Sequence, residues 1–190
     1  MKVSKINVLA ILFASFAVLT GCKDKSEEEV SPFVGNFTIS NAEVAEELIL
    51  TTNEVGAVPV AVGTNITLQI QAALLSSVDC ASAGYAYVEL RKNFSIFMSC
   101  AGENEFNAGT WEEVDASTLI LNMNSTAIPS SPSGFVLTVS EIVKNETGMR
   151  GKTSVPLPKE MVAAMIAPLT LVAETPAVIN MVFYIDFAKK

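Results

Sequence analysis

Residues 85–100 read YAYVELRKNFSIFMSC, and this stretch decides the fold. Ala86, Val88 and Leu90 alternate with Tyr85, Tyr87 and Glu89. After Arg91-Lys92-Asn93, the residues Phe94, Ile96 and Met98 alternate with Ser95 and Ser99. Successive side chains of a strand point to opposite faces, so two alternating runs joined by a short polar connection describe a β-hairpin. Setting Leu90 opposite Phe94 places Val88 opposite Ile96 and Ala86 opposite Met98. All six then share one face, as one buried side of a sheet requires.

Period-2 patterns extend outward from this hairpin in both directions. Upstream, Phe37 and Ile39 open a strand reaching Val44. Downstream come Gly109-Thr110-Trp111, then Leu119, Leu121 and Met123, then Phe135, Leu137 and Val139. Asn145-Glu146-Thr147-Gly148 is a turn. Beyond it Met149, Thr153, Val155 and Leu157 take one face while Arg150, Lys152 and Ser154 take the other. The chain closes with Ile179, Met181, Phe183, Ile185 and Phe187 on one face. Three segments break the pattern. Thr51 to Gly63, with Pro59 and two glycines, reads as loop. Ile66, Ile70, Leu74 and Val78 recur every four residues, which is helical spacing, with Thr64 or Asn65 placed to cap the start. Lys159 to Ile166, between Pro158 and Pro168, suits a short helix. The expected fold is mainly β: about eight antiparallel strands in up-and-down order, closed into a barrel that leaves no exposed edge, with one inserted helix.

Composition narrows the chemistry. The chain has 190 residues, half of them hydrophobic, too apolar for a disordered chain. It contains no His, which removes most triad, general acid–base and zinc chemistry. The net charge of −8 argues against nucleic acid, whose phosphates need a basic face. No motif asks for a cofactor. Gly151-Lys152-Thr153 echoes the end of a phosphate-binding loop, but Glu146 stands where that loop needs its first glycine. The acidic groups Glu43/Glu46/Glu47, Glu103/Glu105 and Glu112/Glu113/Asp115 lack the spacing and loop glycine of a calcium loop, and read as solvated surface. Lys144, Arg150, Lys152 and Lys159 read as the solvated face of a hairpin, with an anionic lipid head or polysaccharide as the alternative contact.

The first residues are an address. Lys2 and Lys5 precede an apolar run from Ile6 to Leu19, too short to span a membrane, and Leu19-Thr20-Gly21-Cys22 follows. These four residues resemble the lipobox of bacterial lipoproteins. The resemblance implies a signal peptide over 1–21, cleavage before Cys22 and acylation of Cys22. Residues 22–32 read as a charged tether, and its Lys23-Asp24 followed by Glu27-Glu28-Glu29 looks like the surface-export signal of Bacteroidetes lipoproteins. The expected location is therefore the outer membrane, at the cell surface, with a periplasm-facing position as the alternative. Outside the cytoplasm, Cys80 and Cys100 are an even pair and a candidate disulfide.

Residues 80–157 resemble the lipocalin-like domains of Bacteroidetes lipoproteins. The hairpin, Gly109-Thr110-Trp111, Leu119 to Met123 and the last long hairpin carry the likeness. Val34-Gly35-Asn36-Phe37 stands where the family opens on Gly-x-Trp. The stretch from Thr51 to Val78 is an insertion relative to that pattern. The resemblance implies a calyx-type barrel over 33–190 that binds a small apolar ligand. Val88, Leu90, Phe94, Ile96, Met98, Trp111, Leu121, Phe135, Leu137 and Phe183 would be either its cavity wall or a packed core. The expected function is a non-enzymatic, membrane-anchored lipoprotein binding a small hydrophobic molecule. The other reading is a surface module that binds glycan or protein through its loops. The sequence names no protein partner.

Overall fold

The computed structural model describes residues 30–75, 77, 78, 80, 85–101, 103–124 and 134–190. The signal peptide, Cys22 and all of the tether before Val30 lie outside these residues.

Ten strands form. They are β1 (Gly35–Val44), β2 (Leu48–Thr52), β3 (Gly56–Val60), β4 (Ala86–Leu90), β5 (Ser95–Cys100), β6 (Glu103–Asp115), β7 (Thr118–Met123), β8 (Phe135–Asn145), β9 (Gly148–Pro158) and β10 (Val178–Lys189). Eight close into an antiparallel barrel in the order β1-β4-β5-β6-β7-β8-β9-β10, and β10 returns to β1. The meander expected from the alternating patterns is therefore found. β2 and β3 form a separate hairpin, and the described residues also hold two helices: α1 (Thr67–Leu74) and the short α2 (Lys159–Ala163).

Three expectations need correction. The hairpin register is Leu90 with Ile96, Val88 with Met98 and Ala86 with Cys100, two residues from the expected pairing. The cause is Phe94, which adopts a left-handed backbone (φ 61°) and extends the connection to Lys92-Asn93-Phe94. Its N–H donates to the Arg91 carbonyl at 2.9 Å and Arg91 N–H donates to Ser95 at 3.0 Å, closing a tight turn. A shift of two preserves the parity of the pleat, so Ala86, Val88, Leu90, Ile96 and Met98 still share the buried face. Second, the expected loop from Thr51 to Gly63 contains the end of β2 and all of β3. Pro59 is tolerated there because it sits opposite Ile49, at a position where the ladder asks for no N–H. Third, β6 begins at Glu103 rather than at Gly109. Gly109 instead marks the closest approach of β6 to β7, since a Cβ there would lie 1.9 Å from the Asn122 carbonyl oxygen.

The barrel closes unevenly. β1 pairs with β10 from Phe37 to Val44, across a bulge between Ile39 and Asn41, but with β4 only from Gly35 to Phe37. Past Phe37 the free edge of β1 is taken up by the helix. Gln71 donates its side-chain amide to the Ile39 carbonyl at 2.8 Å. Ala42 N–H donates to Thr67 Oγ1 at 2.8 Å, and the Ala42 carbonyl accepts Ile66 N–H at 2.9 Å. Thr38 Oγ1 bridges across to the Ala86 carbonyl of β4 at 3.1 Å. The N-cap is Ile66, so neither capping candidate holds that position; Asn65 Oδ1 accepts Thr67 N–H at 3.0 Å just ahead of it, while Thr64 Oγ1 donates back to Ala61. Ile66, Ile70 and Leu74 are buried beneath, so the helix closes the seam and covers apolar surface at once.

Gln71 is buried and its hydrogen bond satisfies a buried carbonyl. Replacing Gln71 with Leu keeps the apolar volume but orphans the Ile39 carbonyl, a loss expected at about 1–3 kcal/mol. Urea unfolding of Gln71→Leu against wild type measures it. An unchanged midpoint would mean that the helix does not close the seam.

Candidate functional site

The antiparallel order gives the barrel two ends. At the entry end lie residues 31–34, the β4–β5 loop, the β6–β7 and β8–β9 turns, and the C-terminus. At the far end lie α1, the β2–β3 hairpin and the β9–β10 connection containing α2.

Most expected lining residues do come together. Val88, Leu90, Ile96, Met98, Trp111, Leu121, Leu137 and Phe183 are buried in one apolar cluster. Phe135 is half-buried at the start of β8, opposite Met123. Phe94 departs from the expectation: it is 54% exposed, because its left-handed turn carries the ring outside, where it lies 5.1 Å from Trp111, tilted by 51°. Trp111 donates its indole N–H to the Arg91 carbonyl at 3.0 Å, fixing it beneath the β4–β5 loop. Phe33, ahead of β1, is fully buried with the Lys144 ammonium 4.0 Å from its ring centre. Ser31 anchors that segment through its hydroxyl to the Glu113 carboxylate. Phe33 and Trp111 thus cover the entry end, and Ile66, Ile70 and Leu74 serve the far end. Large apolar side chains occupy the inward positions of β10, where Met181, Phe183 and Ile185 are sealed from solvent.

An accessible concavity lies outside the barrel, at the far end. A groove of about 450 Å³ opens between β2 and the segment leading into β10, walled by Leu48, Ile49, Val172, Val178 and Ile179, with Glu174 in its lining. Val172 N–H donates to the Thr51 carbonyl at 3.1 Å, and Asn53 N–H donates to Thr170 at 3.0 Å. Backbone groups alternate along a strand, so Ile49 directs its N–H and carbonyl to the same side, into the groove. Across it, the Val182 carbonyl accepts Ala45 N–H at 2.9 Å, and by the same alternation Asn180 presents its backbone groups on that edge of β10, beside the groove. Residues 48–50 and 178–180 are more than a hundred positions apart. Pro59, read as a loop signal, hid the strand that makes one wall.

The charged groups form ion pairs on the outer wall. Arg150 bridges Glu43 (3.0 Å) and Asp186 (2.8 Å), tying β9, β1 and β10 together. The Asn41 amide and then the Arg150 guanidinium hold the Glu43 carboxyl below the ordinary carboxylate range. The same bond to Glu43, together with the charge of Asp186, raises Arg150. Lys152 pairs with Glu46 at 2.8 Å. Arg91 joins Glu89 (2.7 Å) and Glu105 (2.6 Å) and lies 3.6 Å over the Phe97 ring. Lys159 donates to the Val172 carbonyl at 2.8 Å. Lys144, Arg150, Lys152 and Lys159 therefore serve different partners rather than one anion site. Gly151-Lys152-Thr153 lies within β9, not at a helix start. Among the described residues no three His, Cys, Asp or Glu side chains are grouped to hold a metal ion.

Cys80 and Cys100 are joined by a disulfide with 5.4 Å between their Cα atoms. Cys100 stands opposite Ala86, so the bridge ties the open end of the β4–β5 hairpin to the chain arriving from α1. No family model, curated protein or solved structure matches this chain.

Thiol titration of the denatured, unreduced chain should find neither Cys80 nor Cys100 reactive. Replacing both by Ser should cost about 3 kcal/mol, the loop-closure value for a ring of this size. Two reactive thiols would contradict the bridge.

Proposed function

We propose that the protein is a non-enzymatic, lipid-anchored binding module of the outer membrane, held through acyl chains on Cys22. Its barrel is a solid support, and its site is the groove at the far end. The ligand is a small, mainly apolar molecule. The observation that carries this reading is the groove itself: about 450 Å³, with apolar side chains on both walls, which lies in the size range of small-molecule sites. The burial of Leu90, Met98, Trp111 and Phe183 supports the same choice, since these side chains occupy the interior where a calyx ligand would sit. The acidic tether after Lys23-Asp24 supports display at the cell surface.

A second reading follows from Ile49 and Asn180. Their backbone groups, one set aimed into the groove and the other presented beside it, suit an extended peptide that adds a strand between them. The two readings share the site and differ in the occupant.

An apolar fluorophore such as N-phenyl-1-naphthylamine should bind the purified protein and lose most of its signal in Val178→Asp, which places a charge on an exposed part of the groove wall. Unchanged binding in Val178→Asp would place the apolar site elsewhere. The anchor is tested separately: Cys22→Ser should abolish palmitate incorporation, and unchanged labelling would remove the lipoprotein reading.

A further inference from the structure

The basic residues of the domain divide by position. Arg91, Arg150 and Lys152 are spent in ion pairs along the barrel wall. Lys159 is held by backbone carbonyls at the far end. The remaining four, Lys92, Lys144, Lys189 and Lys190, are all exposed and all lie at the entry end. Lys92 sits in the β4–β5 loop and Lys144 just before the β8–β9 turn. Lys189 and Lys190 are fixed there by backbone bonds to Thr147 (2.7 Å) and Asn36 (2.9 Å). None of the four is in an ion pair among the described residues. Carboxylates share this end as well, with exposed Glu112 and Glu141 standing beside the β6–β7 and β8–β9 turns. Glu113 is engaged by Ser31, Asp115 is held by Ser117 at 2.7 and 2.8 Å, and Glu146 lies in the β8–β9 turn.

Exposed apolar side chains accompany these lysines. Phe94 projects from the loop that carries Lys92, and Val114 and Val143 flank the β6–β7 and β8–β9 turns. Exposed cations beside projecting apolar groups, at one end of the barrel, suit a lipid surface, with headgroup phosphates outside and acyl chains beneath. The chain outside the domain points the same way. Residues 31–34 enter at this end, and Cys22 precedes Ser31 by nine positions, roughly 17 Å for a flexible coil.

We propose that the entry end of the barrel rests on an anionic lipid leaflet, with Lys92, Lys144, Lys189 and Lys190 over the headgroups and Phe94 in the interface. This rests on the lipid-anchor reading for its orientation: the far-end groove then faces away from the membrane. The contact is a docking by the folded domain, additional to the acyl chains.

The test uses the acylated full chain carrying Phe94→Trp, reconstituted with vesicles whose lipids are brominated in the acyl chain. Wild type in the same vesicles measures the contribution of Trp111, whose ring lies 5.1 Å from that of residue 94. In phosphatidylglycerol vesicles the new indole should be quenched; in phosphatidylcholine vesicles, or at 1 M salt, quenching should fall. Replacing Lys92, Lys144, Lys189 and Lys190 by Gln in the same background should weaken docking by about fivefold for each lysine. Flotation with the vesicles, which reports the acyl chains, should be unaffected. Quenching that ignores both lipid charge and the four lysines, with flotation intact, would overturn the docking and leave the anchor standing. A chain without acyl mass that is still quenched by phosphatidylglycerol vesicles would uphold the docking and overturn the anchor. A chain that neither floats nor is quenched would overturn both.

Discussion

The structure depends on how β1 closes the barrel. β1 meets β10 along almost its whole length but meets β4 for three residues only. A strand edge left bare over the remaining stretch would expose backbone donors and acceptors beside an apolar interior. Helix α1 removes that problem with specific bonds: Gln71 to Ile39, Thr67 to Ala42 and Ile66 to Ala42. The insertion between the first two barrel strands is therefore part of the closure. Without it, the apolar side chains of β1 and β4 would line an open slot.

That closure decides where binding chemistry can occur. With Phe33 and Trp111 over one end and α1 over the seam, Leu90, Met98, Trp111 and Phe183 are closed off from solvent. Accessible apolar surface is displaced outward, to Ile49 and Val178 at the far end and to Phe94, Val114 and Val143 at the entry end. The charge follows the same division. On the wall Arg150, Lys152 and Arg91 are all held by carboxylates, three cations among five acidic side chains, while lysines outside ion pairs gather where the chain enters. Each exposed pair contributes little to stability on its own. Their consequence is a barrel wall with few unpaired cations and two ends of different character.

The sequence made the barrel strands readable because one buried face leaves a period of two. Ile179 to Phe187 and Met149 to Leu157 show that period over long runs, and both strands form as expected. The hairpin register was less readable, since nothing in Arg91-Lys92-Asn93-Phe94 announces that a bulky aromatic will take a left-handed turn. The same residue carried the mistaken cavity assignment. The β2–β3 hairpin was hidden by Pro59, whose position opposite Ile49 is harmless only in the register that forms. The groove was not readable at all, because its walls come from distant segments brought together by barrel closure. The cysteine pair was readable from its number and setting, whereas its place opposite Ala86 required the true register.

The central claim, that α1 seals a closed barrel, is tested most directly by native-state amide hydrogen exchange. The Ala42 amide, bonded to Thr67, and the Ile66 amide, bonded to Ala42, should exchange in the slowest class, together with the β9–β10 ladder. Exchange of Ala42 and Ile66 as fast as the amides of the peripheral β2–β3 hairpin would contradict the account. It would mean that the seam opens readily and that the barrel interior is accessible.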